Sequence, residues 1–210
     1  MFTGLIETTG EIKSLSFENK SALIGVSPKN SGFECKVGDS VAINGVCLTV
    51  EKIDGCFFFR AVSETLSKTT FNTARVSQTV NLERAKKADG RFDGHIVLGH
   101  VDTVAKIERI QNDGDSTLFF ISLSDDYLKY IAKKGSVAID GISLTVAELT
   151  AGGFVLSIIP HTLRNTTLAL KKSGDFVNIE CDVFARYIER IITCESKDER
   201  IMNLLERGGF

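Results

Sequence analysis

The chain has 210 residues, 43% of them hydrophobic and 25% charged, with a formal net charge of −2. That balance points to a soluble globular protein, and without a Lys/Arg-rich run it lacks the electrostatic footprint of a nucleic-acid binder. No stretch approaches the roughly 18 apolar residues of a membrane span, and MFTGLIETTG has neither the basic nor the apolar region of a signal peptide.

In chain order, strands are expected at 4–15 and 22–27 and over the hairpin VAINGVCLTV at 41–50. Asn44-Gly45 marks its turn, because a type I′ turn needs positive φ at both central residues. Further strands are expected at 56–63 and 78–84, with a short helix near 66–73. The second half then repeats the first. Strands are expected at 99–110, 117–123, 153–159 and 175–181, with a helical stretch near 125–133. VAIDGISLTV at 137–146 matches the first hairpin at seven of ten positions and places Asp140-Gly141 at its turn. TLSKTTF at 65–71 returns as TLRNTTL at 162–168, VNLE at 80–83 as VNIE at 177–180, and FTGLIE at 2–7, more weakly, as VLGHVD at 97–102. The offset stays between 95 and 97 residues. Such a period is too long for a solenoid unit and marks a duplicated domain.

Six short strands per half, punctuated by Gly, Asn and Asp turns, predict a mainly β protein of two small antiparallel barrels in tandem. The domains are expected at 1–94 and 95–183, followed by a helix and tail at 184–210. In that helix Phe184, Tyr187, Ile188, Ile191 and Ile192 repeat at helical spacing, outside the duplication. The stripe suits packing on its own barrel or on copies of itself. A second apolar cluster (Ile201, Met202, Leu204, Leu205) extends or follows it, and Gly208-Gly209 is expected to fray.

In the hairpin strand Val46, Leu48 and Val50 share one face, so Cys47 and Thr49 point to the other, as do Ser143 and Thr145 in the second copy. Two small hydrogen-bonding side chains beside a hairpin suit a polar heterocycle, or simply a solvated face. Two related pockets can hold two molecules of one compound, and differences between the halves (Cys47 for Ser143, Leu5 for His100) can give them different roles. His100 is the expected base or proton shuttle near neutral pH. Ser143 lies in G-I-S-L-T, not G-x-S-x-G, and no dinucleotide or triphosphate loop occurs. His95, His100 and His161 lack metal-ligand spacing. The five cysteines form no C-x-x-C and are expected as reduced thiols in the cytoplasm.

MFTGLIE, NGVCLTV at 44–50, GHVD at 99–102, IDGISLTV at 139–146 and IPHTLRNTTL at 159–168 together resemble the riboflavin synthase family over roughly residues 1–185. The resemblance implies two six-stranded, Greek-key-like barrels and a C-terminal helix that gathers three chains. It implies dismutation of two molecules of 6,7-dimethyl-8-ribityllumazine to riboflavin and 5-amino-6-(ribitylamino)uracil, with no metal or external redox cofactor. Association with lumazine synthase is left open.

The two lumazines would lie in an N-terminal and a C-terminal barrel facing each other across a subunit boundary. Gly4, Leu5 and Ile6, Cys47, Leu48 and Thr49, and Arg60, Ala61, Val62, Ser63, Glu64 and Thr65 would cradle one. Gly99, His100 and Val101, Lys134, Ser143, Leu144 and Thr145, and Ser157, Ile158, Ile159, Pro160, His161 and Thr162 would cradle the other. Met1, Phe2, Ser40 and Asp182 also match positions at or near the family's active site. His100, helped by Ser143 or Thr145, would handle the proton of the C7 methyl group, and Cys47 would stabilise or add to the second lumazine. The alternative implied by the same fold is a non-catalytic lumazine- or flavin-binding protein. Gly99-His100, Ser143 and Thr145 favour the enzyme.

Overall fold

The computed structural model describes residues 1–87, 89–91 and 93–194. Strands β1 (Thr8–Glu18), β2 (Ser21–Pro28), β3 (Ser40–Ile43), β4 (Val46–Ile53), β5 (Phe57–Ala61) and β6 (Thr79–Arg84) close into one barrel in the order β1-β2-β5-β4-β3-β6. Strands β7 (Thr103–Asp113), β8 (Ser116–Ser122), β9 (Ser136–Ile139), β10 (Ile142–Thr150), β11 (Gly153–Ile158) and β12 (Phe176–Cys181) repeat the same circuit in a second. Closure leaves no strand unpaired along its whole length. Inward-facing residues fill each barrel. Val46, Leu48 and Val50 of β4 join one core around Phe59 and Phe71, and Val146 of β10 joins the other around Phe119 and Phe154.

The structure departs from the sequence reading at four places. The strands expected at 4–15 and 99–110 begin later, at Thr8 and Thr103, because Gly4 (φ +77°) and Gly99 (φ +79°) break extended geometry. The helix expected near 66–73 is α1 (Ser63–Lys68) followed by a 3₁₀ turn over Thr70–Thr73. Thr69 separates them, donating its hydroxyl to Thr65 O (2.7 Å) and accepting from Phe71 N (3.3 Å). The stretch expected at 125–133 contains only the short α2 (Asp125–Leu128). The second half also holds an unexpected helix, α3 (Pro160–Asn165), the copy of α1, with its proline in the first turn where no N–H is needed.

The halves meet about a local twofold through their hairpin turns. Asn44-Gly45 and Asp140-Gly141 both have positive φ, and a Cβ on Gly45 would lie 2.6 Å from Gly141 N. No side chain fits there. Around the turns, Asn81 Nδ2 donates to Asp140 O (3.0 Å) and Asn178 Nδ2 donates to Asn44 O (2.8 Å). Each amide oxygen also crosses over, Asn81 Oδ1 accepting from Thr167 N and Asn178 Oδ1 from Thr70 N, both at 2.8 Å. The one charged member, Asp140, is fully buried and faces Lys171 at 2.9 Å. The first half uses neutral Asn44 and Ala74 at the equivalent positions.

From residue 183 a helix, α4, runs to residue 194. Asp182 caps it, Oδ1 accepting from Phe184 N at 2.9 Å. Arg186 pairs with Asp102 (3.1 Å), and Glu189 contacts Lys129 and Tyr130, so the polar face docks on the second barrel. Phe184, Tyr187, Ile188, Ile191 and Ile192 point away, each more than half exposed. The cluster Ile201, Met202, Leu204 and Leu205, and Gly208-Gly209, lie outside the described residues.

Candidate functional site

Each barrel carries a small polar patch on its outer face. In the first, β3 and β4 pair Ser40 with Thr49 and Ala42 with Cys47. In the second, β9 and β10 pair Ser136 with Thr145 and Ala138 with Ser143. Beside each patch the barrel wall parts. The β4–β5 ladder runs only as far as Val50–Phe59 and the β10–β11 ladder only as far as Val146–Leu156, each with a bulge. Leu48 and Leu144 spend their backbone groups on β3 and β9, so Thr49 and Thr145 are the residues left without a strand partner on that side. Backbone groups at such an opening, flanked by hydroxyls, can read the alternating donor–acceptor edge of a flat heterocycle.

The segments ahead of the two barrels change places. Ser143 N donates to Gly4 O (2.8 Å), whereas Cys47 N donates to Gly99 O (2.9 Å). Ile6 packs against the second core and Val101 against the first. The approach is tight, since a Cβ on Gly4 would lie 2.5 Å from Ser143 Cβ, and one on Gly99 2.5 Å from Cys47 Cβ. Each polar patch is thus bordered by the other half's leading segment.

The patches differ chemically. Ser143 Oγ lies 2.7 Å from His95 Nδ1, while His95 Nε2 is buried with no protein partner. Burial holds the imidazole below the usual histidine value, opposed by the charge of Asp182. A neutral ring bonded to a serine hydroxyl can accept or relay a proton. At the other patch, burial pushes the Cys47 thiol up, opposed by the terminal ammonium of Met1 and a hydrogen bond with Ser40. At neutral pH Cys47 is a thiol, a weak donor and not a standing nucleophile.

The duplication has a counterpart among known proteins. The lumazine binding domain model matches twice, over residues 3–85 and 98–182. Riboflavin synthase of Photobacterium phosphoreum is 44% identical over the whole chain and 99% of its own length. Those of Bacillus subtilis (38%, all of both chains) and Saccharomyces cerevisiae (39%, 98% of this chain and 94% of that one) are similar in extent. The chain belongs to the riboflavin synthase family. Among solved structures, LumP complexed with riboflavin superimposes with a TM-score of 0.80 at 24% identity, covering 86% of this chain and 99% of that one. LumP with 6,7-dimethyl-8-(1'-D-ribityl) lumazine gives 0.77 at 24%, over 86% and 98%. At that identity the likeness concerns the fold.

The grouping implied by resemblance to riboflavin synthases needs one correction within a single chain. Gly4 and Ile6 border the second barrel on the Ser143 side, while Leu5 lines a cavity with Ser40, Asp39 and Glu83, and Gly99 and Val101 border the first barrel on the Cys47 side, with His100 between them. The cause is the exchange of leading segments. Ser143 consequently has His95 as its histidine, while the exposed His100 follows Gly99 on the Cys47 side. Met1 acts on Cys47 electrostatically, and Phe2 is fully buried against Cys47, Ala42, Val97 and Ala138.

Arg60 and Ala61 end β5, with Arg60 paired to Glu51 at 3.1 Å. Val62 is exposed, and Ser63, Glu64 and Thr65 open α1. In the copy, Ser157 and Ile158 end β11, Ile159 is exposed, and Pro160, His161 and Thr162 open α3. Both runs emerge where the barrel wall parts. Lys134 is exposed on the turn before β9, its backbone N bonded to Val146 O at 2.8 Å. Asp182 lies close enough to act on His95 while capping α4. His95 was missed as a site residue. It lies ahead of the repeated VLGHVD segment, so comparing the halves gives no signal for it.

Proposed function

We propose that this chain is a riboflavin synthase, dismutating two molecules of 6,7-dimethyl-8-ribityllumazine to riboflavin and 5-amino-6-(ribitylamino)uracil. The observation that carries the reading is one recognition patch built twice with different chemistry, thiol and hydroxyls at Ser40, Cys47 and Thr49, and a serine–imidazole pair at Ser143 and His95. Duplication provides for two copies of one compound, and the asymmetry lets one act as donor and the other as acceptor of the four-carbon unit. One lumazine is oxidised as the other is reduced, so electrons balance without an external redox cofactor.

The open ladder segments hold the pyrimidine edge of each ring. The His95–Ser143 pair handles the proton lost from the C7 methyl group, with Thr145 and Asp182 beside it. His100, Cys47, Thr49 and Ser40 serve the second ring, with Cys47 as a hydrogen-bonding thiol. Orienting two flat rings at reacting distance supplies much of the acceleration, since well-oriented pairs reach effective molarities of about 10⁵–10⁸ M.

Leu5, Val62 and Ile159 leave about half their surface exposed, at 47%, 54% and 57%, around the two openings. A patch open in this way suits closure by the complementary patch of another chain. The unpartnered apolar stripe of α4 supports a homotrimer that brings an N-terminal and a C-terminal site together. Five free cysteines suit a cytoplasmic enzyme. The test is turnover of the lumazine by wild type against Ser143→Ala and His95→Phe. Loss of one such proton-handling group is expected to lower kcat about 10²–10⁴-fold. Unchanged kcat in both variants would remove the pair from the mechanism.

A further inference from the structure

Glu83 and Glu180 are the two buried carboxylates at equivalent ends of β6 and β12, 4% and 3% exposed. Neither faces a lysine or arginine in an ion pair among the described residues. Both are filled by consecutive donors of a leading segment. Glu83 accepts from Thr3 N (2.6 Å), Thr3 Oγ1 (2.8 Å) and Gly4 N (3.0 Å). Glu180 accepts from Leu98 N (2.6 Å), Gly99 N (2.9 Å) and His100 N (3.0 Å). Successive N–H groups turned to one side by a positive-φ glycine form a concave anion site. Here the anion is a side chain of the protein itself.

Each clamped segment then bonds onward, Gly4 O to Ser143 N and Gly99 O to Cys47 N. Glu83 stands on the first barrel and Ser143 on the second; Glu180 and Cys47 stand the other way round. We propose that Glu83 and Glu180 are positioning residues that act crosswise, each setting the border of the site on the opposite barrel. Three convergent donors need a group that only accepts, which a carboxylate is and an amide is not. The linkage is electrostatic as well as geometric, since the charge of Glu180 contributes to raising the Cys47 thiol. The two ligand sites of one chain are thereby tied to each other. The linkage itself is independent of the reaction, whereas its catalytic consequence rests on the function proposed above.

The test uses the full-length chain with Glu180→Gln and Glu83→Gln, which keep the side-chain shape but turn an amide N–H toward a backbone N–H. Peptide-resolved alkylation by iodoacetamide reads the five cysteines separately. In Glu180→Gln the Cys47 rate is expected to change by at least ~3-fold, the equivalent of one net hydrogen bond, with Cys35 and Cys56 of the same barrel unchanged. Glu83→Gln changes the Cys47 rate less than Glu180→Gln does, since it reaches Cys47 only through Met1 and Phe2, and shifts the imidazole resonances of His95 more than the Glu180 variant does.

All cysteines accelerating together, or each variant disturbing only its own barrel's site, overturns the proposal. If a Gln variant does not fold, Glu180→Asp and Glu83→Asp, which keep the charge but shorten the reach, are read the same way. Turnover of the lumazine is measured alongside. A chain that shows the crosswise pattern but no turnover keeps the linkage and loses the proposed function.

Discussion

Asn178→Ala tests how the two barrels are held together. Asn178 is 1% exposed, and both partners of its side chain belong to the other half, Asn44 O at 2.8 Å and Thr70 N at 2.8 Å. Alanine strands both. The buried carbonyl of Asn44 forfeits the donor it has from the other half, a loss of about 1–3 kcal/mol, and the more accessible Thr70 N–H adds about 0.5–1 kcal/mol. A total of about 2–4 kcal/mol lowers Tm by roughly 4–16 °C for a chain of this size. Asn81→Ala should cost a similar amount, because Asn81 makes the mirror pair of bonds to Asp140 O and Thr167 N. Differential scanning calorimetry at fixed protein concentration reads both. A Tm within 1 °C of wild type for either variant would refute the claim that these amides carry the barrel-to-barrel contact.

Other outcomes follow from the same geometry. Lys171→Ala removes the cation that faces the buried Asp140, at a cost of about 3–5 kcal/mol in chemical denaturation. Adding Asp140→Asn should recover most of it, since Asn44 and Ala74 occupy these positions in the first half; no recovery would contradict the pairing. His95 should titrate by NMR below about 6.5. Its unfolded form takes the proton first, so stability falls as pH drops through that value towards the folded midpoint, and His95→Phe should remove that component. Ile188→Glu on the exposed stripe of α4 should shift sedimentation toward a single chain and reduce turnover, whereas an unchanged oligomer would show that the stripe is not the contact. Cys47→Ser should keep turnover within about 10-fold, as expected where the residue serves as a thiol donor.

The sequence carried much of the architecture because the duplication fixed a register. Asn44-Gly45 and Asp140-Gly141 identify the hairpins by a local steric rule, and the alternation through Val46, Leu48 and Val50 places Cys47 and Thr49 outside. Strand starts were less legible, because Gly4 and Gly99 turn the chain toward a partner surface that only the assembled pair of barrels creates. The short helix α3 was hidden by Pro160 and a run of threonines with weak propensity, although its first-half copy was visible. For the site, residue type and repeat position pointed to Ser143, Thr145, Cys47 and Thr49. They could not show that His95 bonds Ser143, because that contact depends on how the segment ahead of β7 lies over β10. The buried Glu83 and Glu180 read in sequence as ends of amphipathic strands, and only their convergent donors reveal a purpose.

The most direct measurement mixes the purified chain with 6,7-dimethyl-8-ribityllumazine alone, with no cofactor, and resolves the products by chromatography while following the visible absorbance. Riboflavin and 5-amino-6-(ribitylamino)uracil are expected in equal amounts, each at half the lumazine consumed. Tight binding of the lumazine with no product would contradict that expectation and leave a binding protein on the same fold.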